Sequence, residues 1–210
     1  MSMKKHTGSA WENITSVKRY SGGSWVNCSF VKKYVDGEWK KIYPTDYYLI
    51  KDGKYQVDFS TTSVWSYSLV GSSFKVTEGD GYIQIYNMGY SMGAIITSNT
   101  IDLSQYSTIN IEADISMYTS GSTYLNRAAI GAYDSIPDAL GYGSTWTPGT
   151  GTIFYKDFYT VAGNSTTFVS VSKSYSISNY TADGHIFVYG TSYNLGSDYS
   201  YVRIKNLWLM

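Results

Sequence analysis

Only His6 and His185 supply imidazoles and only Cys28 supplies a thiol, so nucleophilic catalysis of the histidine-assisted kind has few residues to draw on in these 210. His6 sits in an N-terminal stretch expected to fray. His185 follows Asp183-Gly184 at the start of an apolar alternation, where a solvent-facing or capping role is expected. Glu112 and Asp114 form the best carboxylate pair. Alternation puts both on one strand face, a spacing compatible with acid and base work on a glycoside, although two carboxylates on an outward strand face are usually solvated. No cysteine/histidine cluster has transition-metal spacing. Neither Gly-Asp-Gly at 79–81 nor the glycine-rich stretch at 141–151 precedes a helix that could cradle phosphate. Asp80, Asp102 and Asp183 are turn carboxylates of the kind that ligate Ca²⁺, but no dense oxygen-ligand loop surrounds them. The inventory predicts a non-catalytic protein with no cofactor and no metal centre.

Recognition chemistry is better represented. Sugars present flat apolar C–H faces edged by hydroxyls, and their sites need aromatic platforms beside planar hydrogen-bonding groups. The sequence has 23 tyrosines and six tryptophans, most of them expected as core or cross-strand filler, Trp65 and Trp208 among them. The stretch 134–151 differs: it carries two of the three prolines and no strand pattern, and loops of this length are uncommon unless they are functional or disordered. Tyr142 and Trp146 lie in it, and Arg127, Tyr133 and Asp134 lie on the strand that leads into it. These five are the candidate ligand-binding residues. In the alternative reading, Trp146 plugs the end of the fold and Tyr142 is incidental.

The elements that must position these residues are strands. Charged residues make up only 15% and straight-chain helix formers are scarce, while Tyr, Thr and Ser suit a half-exposed pleated surface. Ile83 and Ile85 share one face of 82–86. Ile109, Ile111, Ala113 and Ile115 share one face of 108–116, with Asn110, Glu112, Asp114 and Ser116 opposite. Further strands are predicted at 64–70, 93–97, 127–133, 152–158, 167–171, 185–190 and 201–210. About nine strands punctuated by Gly, Ser, Asn and Asp predict an all-β fold, an antiparallel β-sandwich of the jelly-roll type over residues 46–210.

A different segment precedes it. Trp11, Trp25 and Trp39 are spaced by 14 residues. Ile14, Cys28 and Ile42 align in the same register, as do 17–20 with 31–34 and Gly23 with Gly37. Each unit reads as a strand, a tight turn and a returning strand led by tryptophan, with Gly22-Gly23 and Asp36-Gly37 supplying the positive-φ residues of two-residue turns. Cys28 occupies an apolar repeat position, which predicts an inert buried thiol. The sequence thus divides into a flexible terminus at 1–9, 14-residue tandem β-hairpin repeats at 10–45, and the sandwich. Residues 1–45 hold eight Lys or Arg against three acidic residues, a net +5, which leaves −5 for the remainder. Basic residues alternating with apolar ones, next to an acidic sandwich, argue against nucleic-acid binding and for a solvated or partner-facing hairpin.

The repeat, Val31-Lys32-Lys33-Tyr34-Val35-Asp36-Gly37-Glu38-Trp39-Lys40-Lys41-Ile42-Tyr43 in its second copy, resembles the short tandem repeats of tail and baseplate proteins of tailed bacteriophages and prophages; the resemblance covers 10–43. Residues 101–104, 176–188 and the closing run 201–209 resemble the later strands of galactose-binding-like and carbohydrate-binding-module jelly rolls. Together these resemblances imply a virion tail, baseplate or fibre protein whose repeats attach it to other tail proteins, or to copies of itself as a trimer, and whose jelly roll binds host-surface polysaccharide. A purely structural tail component is one alternative, and a glycan-processing enzyme using Glu112 and Asp114 another. The single cysteine excludes an internal disulfide framework. Residues 1–8 lack the apolar region of a signal peptide, and no stretch approaches the length of a membrane span. That combination fits assembly in bacterial cytoplasm and incorporation into a virion.

Overall fold

A computed structural model describes residues 4–6, 11–13, 17–27, 31–35, 37–43, 46–63, 73–119, 126–136, 151–161, 165–193 and 198–210. The chain divides into two compact units, the first holding residues 1–47 and Met210, the second residues 48–209.

The first unit is built of hairpins. β1 (Lys4–His6) pairs with β2 (Trp11–Asn13), β3 (Lys18–Ser21) with β4 (Ser24–Asn27), and β5 (Val31–Val35) with β6 (Glu38–Tyr43), all antiparallel. Gly22 (φ 61°) and Gly23 (φ 84°) make the two-residue turn between β3 and β4, a twist that only residues tolerant of positive φ adopt cheaply. The register places His6 opposite Trp11, Tyr20 opposite Trp25 and Tyr34 opposite Trp39. The repeat therefore begins with Lys4-Lys5-His6, a strand inside the stretch expected to be a free terminus. Cys28 lies outside the described residues.

The second unit has two sheets. Its strands are β7 (Tyr47–Lys51), β8 (Lys54–Tyr55), β9 (Phe59–Ser63), β10 (Ser73–Gly79), β11 (Tyr82–Met88), β12 (Tyr90–Thr97), β13 (Ile101–Asp102), β14 (Thr108–Tyr118), β15 (Asn126–Tyr133), β16 (Thr152–Val161), β17 (Ser165–Ser176), β18 (Asp183–Tyr193) and β19 (Tyr199–Leu209). A seven-stranded sheet runs β10-β11-β19-β14-β17, with β7 on β19 and β8 on β7. A six-stranded sheet runs β16-β15-β18-β12-β9, with β13 on β18. The pairings within the two sheet paths are antiparallel, and the chain crosses between the sheets repeatedly after β11, as a jelly roll requires. The fold is an all-β antiparallel sandwich. Among the described residues the only helical element is a 3₁₀ turn at Leu103–Gln105, and no helix is long and apolar enough to cross a membrane.

Alternation builds the core between the sheets. Ile83, Ile85, Ile109, Ile111, Ala113, Ile115, Val202 and Ile204 are buried from one side, and Ile95, Ile130, Ile186 and Val188 from the other. A Cβ on Gly190 would lie 3.0 Å from the Asn87 amide nitrogen, 3.1 Å from Val202 and 3.2 Å from the Ser200 hydroxyl, so a side chain there would force these neighbours to shift. Asn87 crosses the core to donate its amide to the Gly190 carbonyl at 3.0 Å.

Two expectations need correcting at the level of faces and turns. Asn110 and Ser116, placed by alternation on an outward face, are buried, and Asn110 donates its amide to the Thr108 hydroxyl at 3.2 Å and to the Trp208 carbonyl at 3.4 Å. His185 is half-buried, not solvent-facing, and takes the capping role instead: its Nδ1–H donates to the Thr97 carbonyl at 2.8 Å and ties β18 to the end of β12. Asp102 caps the 3₁₀ turn, accepting from the Ser104 amide at 3.0 Å and from Gln105 Nε2 at 2.9 Å. The predicted strand at 64–70, with Trp65, lies outside the described residues.

Candidate functional site

Strand β15 carries both Arg127 and Tyr133, and its alternation decides what they meet. Gly190 faces the other sheet, so Tyr189 and Phe187 on the same strand point away from it. Their cross-strand partners Ala129, Gly131, Ala94 and Ile96 share that side. Met92, Ala94, Ile96, Ala129, Tyr133, Phe187 and Tyr189 form a second buried apolar layer there, with Tyr155 packed against it. Phe187 stacks on Tyr189 (5.9 Å, 10°) and Tyr189 on Tyr155 (5.9 Å, 13°), so a row of parallel rings runs across β18 toward the edge strand β16.

Polar groups close the row at the sheet edge. Tyr189 donates its hydroxyl to that of Tyr155 at 2.7 Å, and Tyr155 donates in turn to the Asp157 carboxylate. Arg127 Nη1 lies 3.4 Å from the other Asp157 oxygen; both side chains are partly open to solvent, at 24% and 29%. Tyr175 donates to the Asp157 carbonyl at 2.9 Å from the opposite sheet, and Thr191 accepts from the Arg127 amide at 2.9 Å. Burial alone would lower the Arg127 guanidinium, but Tyr155 and Asp157 beside it raise it above its usual value. Burial, reinforced by Asp157, pushes the Tyr155 hydroxyl up to about 12, and burial first, then Tyr155, raises Tyr189 further. All three tyrosine and arginine groups therefore keep their protons at neutral pH. The result is a held guanidinium and carboxylate, both half-open, beside a stacked aromatic row.

Of the five sequence candidates, Arg127, Tyr133 and Asp134 are described, and Arg127 lies apart from the other two. Tyr133 is 1% exposed, its ring packed on Phe187 at 4.7 Å. Its hydroxyl is buried beside Thr152 and pushed up to about 12 by that burial. Asp134 is exposed at the far end of β15, roughly 23 Å along the strand from Arg127 by strand rise. Its amide donates to the Gly151 carbonyl at 2.9 Å, which closes the base of the predicted loop. Tyr142 and Trp146 lie outside the described residues. Arg127 thus joins Tyr155, Asp157 and Tyr189, which sequence reasoning did not select. The Tyr155-x-Asp157 alternation was visible, but nothing in the sequence pairs it with Arg127.

The Glu112/Asp114 pair has other occupations. Asp114 lies 2.7 Å from Lys205 Nζ and accepts from Ser170 at 2.6 Å; burial would raise it, yet these bonds hold its carboxyl below the ordinary range. Glu112 accepts from Asn206 at 2.6 Å. A general acid needs a raised carboxyl, and Asp114 has the opposite. Among the described residues no group of three or more His, Cys, Asp or Glu is placed to hold a metal ion.

No protein-family model matches the sequence, and no curated protein matches it. Among solved structures, the chain is similar to a family 29 carbohydrate-binding module from Piromyces equi (14% identity, 79% of this chain and 89% of that one, TM-score 0.39). It is likewise similar to a family 11 carbohydrate-binding module from Clostridium thermocellum in complex with a β-1,3-1,4-mixed-linked tetrasaccharide (12% identity, 79% and 95%, TM-score 0.41). The glycoside hydrolase domain of Endo-D from Streptococcus pneumoniae R6 is similar at 8% identity and TM-score 0.42, over 72% of this chain and 21% of that one.

Proposed function

We propose that the sandwich is a non-catalytic carbohydrate-binding unit that engages glycan at the edge of its six-stranded sheet. The observation that carries this is the Arg127–Asp157–Tyr155–Tyr189 group: a planar cation and a planar carboxylate, both half-open, fixed next to stacked rings. Arg127 and Asp157 match a sugar's hydroxyl edge and the half-buried Tyr155 ring matches its C–H face, while Tyr189, fully buried, holds Tyr155 in place. The biological setting in this proposal is a phage or prophage tail, where the sandwich meets host-surface polysaccharide and the virion is assembled in bacterial cytoplasm. The tandem repeat motif supports that setting. Tyr20 and Trp25, in edge-to-face contact at 5.4 Å, and Tyr34 are 64%, 67% and 57% exposed, which suits a hairpin segment that attaches to other tail proteins or to copies of itself.

A glycan array on the purified protein, repeated with Arg127→Gln, tests the binding reading. Retention on one glycan class, weakened about tenfold or more by the substitution, is expected. Binding to no glycan would overturn it and leave the sandwich as a structural part of the tail.

A further inference from the structure

The seven-stranded sheet of the sandwich has its own recognition chemistry. On the outward face of the seven-stranded sheet, Tyr118 stacks on Tyr199 (5.7 Å, 16°), Tyr199 meets Tyr201 (5.3 Å, 59°), and Tyr201 stacks on Tyr86 (4.6 Å, 23°). All four rings are half-exposed. The row follows from register: Tyr118 faces Tyr199 across β14 and β19, and Tyr86 faces Tyr201 across β11 and β19. Strand alternation then brings every ring to the same side.

At the end of this row stands Arg203. Its guanidinium carbon lies 3.9 Å from the centre of the Phe168 ring and 4.6 Å from that of Tyr82, and its Nε donates to Gln84 Oε1 at 2.8 Å. Phe168 is 40% exposed. The cross-strand partner of Arg203 is Asp114, whose carboxylate is already taken by Lys205 and Ser170. The reason is local: the register shift between Glu112 and Ala113 leaves Lys205 as the unpaired extra residue on β19, and its side chain reaches Asp114 instead. Among the described residues, Arg203 has no carboxylate within ion-pair distance. A guanidinium held by two ring faces and a side-chain amide, within reach of the Asp114 charge but ion-paired with no described carboxylate, is set up for bidentate capture of an external carboxylate.

We propose that this face is a second glycan site, selective for acidic polysaccharide: Arg203 takes a sugar carboxylate while the Tyr86–Tyr201–Tyr199–Tyr118 row stacks the C–H faces of the chain. The proposal rests on the reading of the sandwich as a glycan-binding unit, and adds a ligand class and a site distinct from the Arg127 group.

The test uses the full chain, isothermal titration calorimetry, and two sets of probes: oligomers of polygalacturonate, alginate and hyaluronate as acidic chains, and the neutral glycan best retained on the array. Arg203→Gln is expected to weaken acidic-chain binding by about tenfold or more, with neutral-glycan affinity unchanged. Arg203→Lys, which keeps the charge but not the fork, should recover only part of that loss. Raising salt should weaken the acidic probes and not the neutral one. Tyr199→Ala, removing a half-exposed ring away from the guanidinium, should also weaken the acidic probes. Melting temperatures of each variant separate lost binding from lost folding. Binding of the neutral glycan with none of the acidic probes bound, or with acidic binding indifferent to both Arg203→Gln and Tyr199→Ala, overturns the second site while the function stands. Binding of neither class overturns both.

Discussion

Tyr155 is the side chain on which the sheet-edge network turns, because its hydroxyl both accepts from Tyr189 and donates to Asp157. Tyr155→Phe removes one hydroxyl and leaves the Tyr189 hydroxyl short of an acceptor; a loss of about 1–3 kcal/mol in urea unfolding is expected. Arg127→Gln should differ in kind. Its ion pair with Asp157 is half-open, so the stability cost should stay near or below about 1 kcal/mol, while glycan affinity falls. A variant that unfolds readily without changing binding per folded molecule would show that Arg127 is architecture. The tyrosines also set an alkaline limit. Their folded values lie above the ordinary 10.0, so the protonated hydroxyls stabilise the fold fully below pH 10, and that contribution is lost as pH rises through about 12. The difference in tyrosinate absorbance between the protein and its Tyr133→Phe and Tyr155→Phe variants, followed with circular dichroism, should coincide with loss of tertiary structure; a difference signal near pH 10 in a folded protein would contradict it.

Strands set the limits of tolerance differently. Gly93 on β12 pairs with Gly190 on β18, and a Cβ there would come within 1.8 Å of the Phe74 ring. Phe74 must move to admit even alanine, so Gly93→Ala is expected to cost about 1–3 kcal/mol, read as a lower urea midpoint at unchanged slope. The same strands explain which parts of the pattern were readable. Thr108–Tyr118 declares itself by Ile109, Ile111, Ala113 and Ile115, since a two-residue period is local and survives any tertiary arrangement. β7, β9 and β10 carry no such clean alternation and went unread. What makes them strands is their pairing, β9 with the distant β12 and β10 with its neighbour β11.

For the molecule as a whole, the division into two units predicts separable behaviour. Residues 46–210 should fold alone as a cooperative β protein, since both sheets and the core between them fall inside that span. Residues 1–45, two-stranded hairpins with exposed Tyr20, Trp25 and Tyr34, bury too little to hold as a monomer. Circular dichroism on both fragments measures this, and a cooperative melt from the monomeric hairpin fragment would refute the size argument. In the full chain, light scattering should report self-association that is lost when the hairpins are removed.

What composition and periodicity determined by themselves was the class of object: an all-β chain, a 14-residue tandem repeat with tight turns, and the inward face of the long strands. Each of these is local, written in alternation, in glycine position and in the spacing of tryptophans. Which side chains share a site was decided only by the tertiary structure. Arg127 and Asp134 are near in sequence and far apart on β15, whereas Arg127 and Asp157, 30 residues apart, meet across β15 and β16. Register shifts were equally invisible: the one between Glu112 and Ala113 turns Lys205 onto Asp114, so that among the described residues Arg203 is in no ion pair. A bulge is a choice between two nearly equal pairings, and the chain settles it through contacts made by residues far along the sequence, which no window of alternation contains.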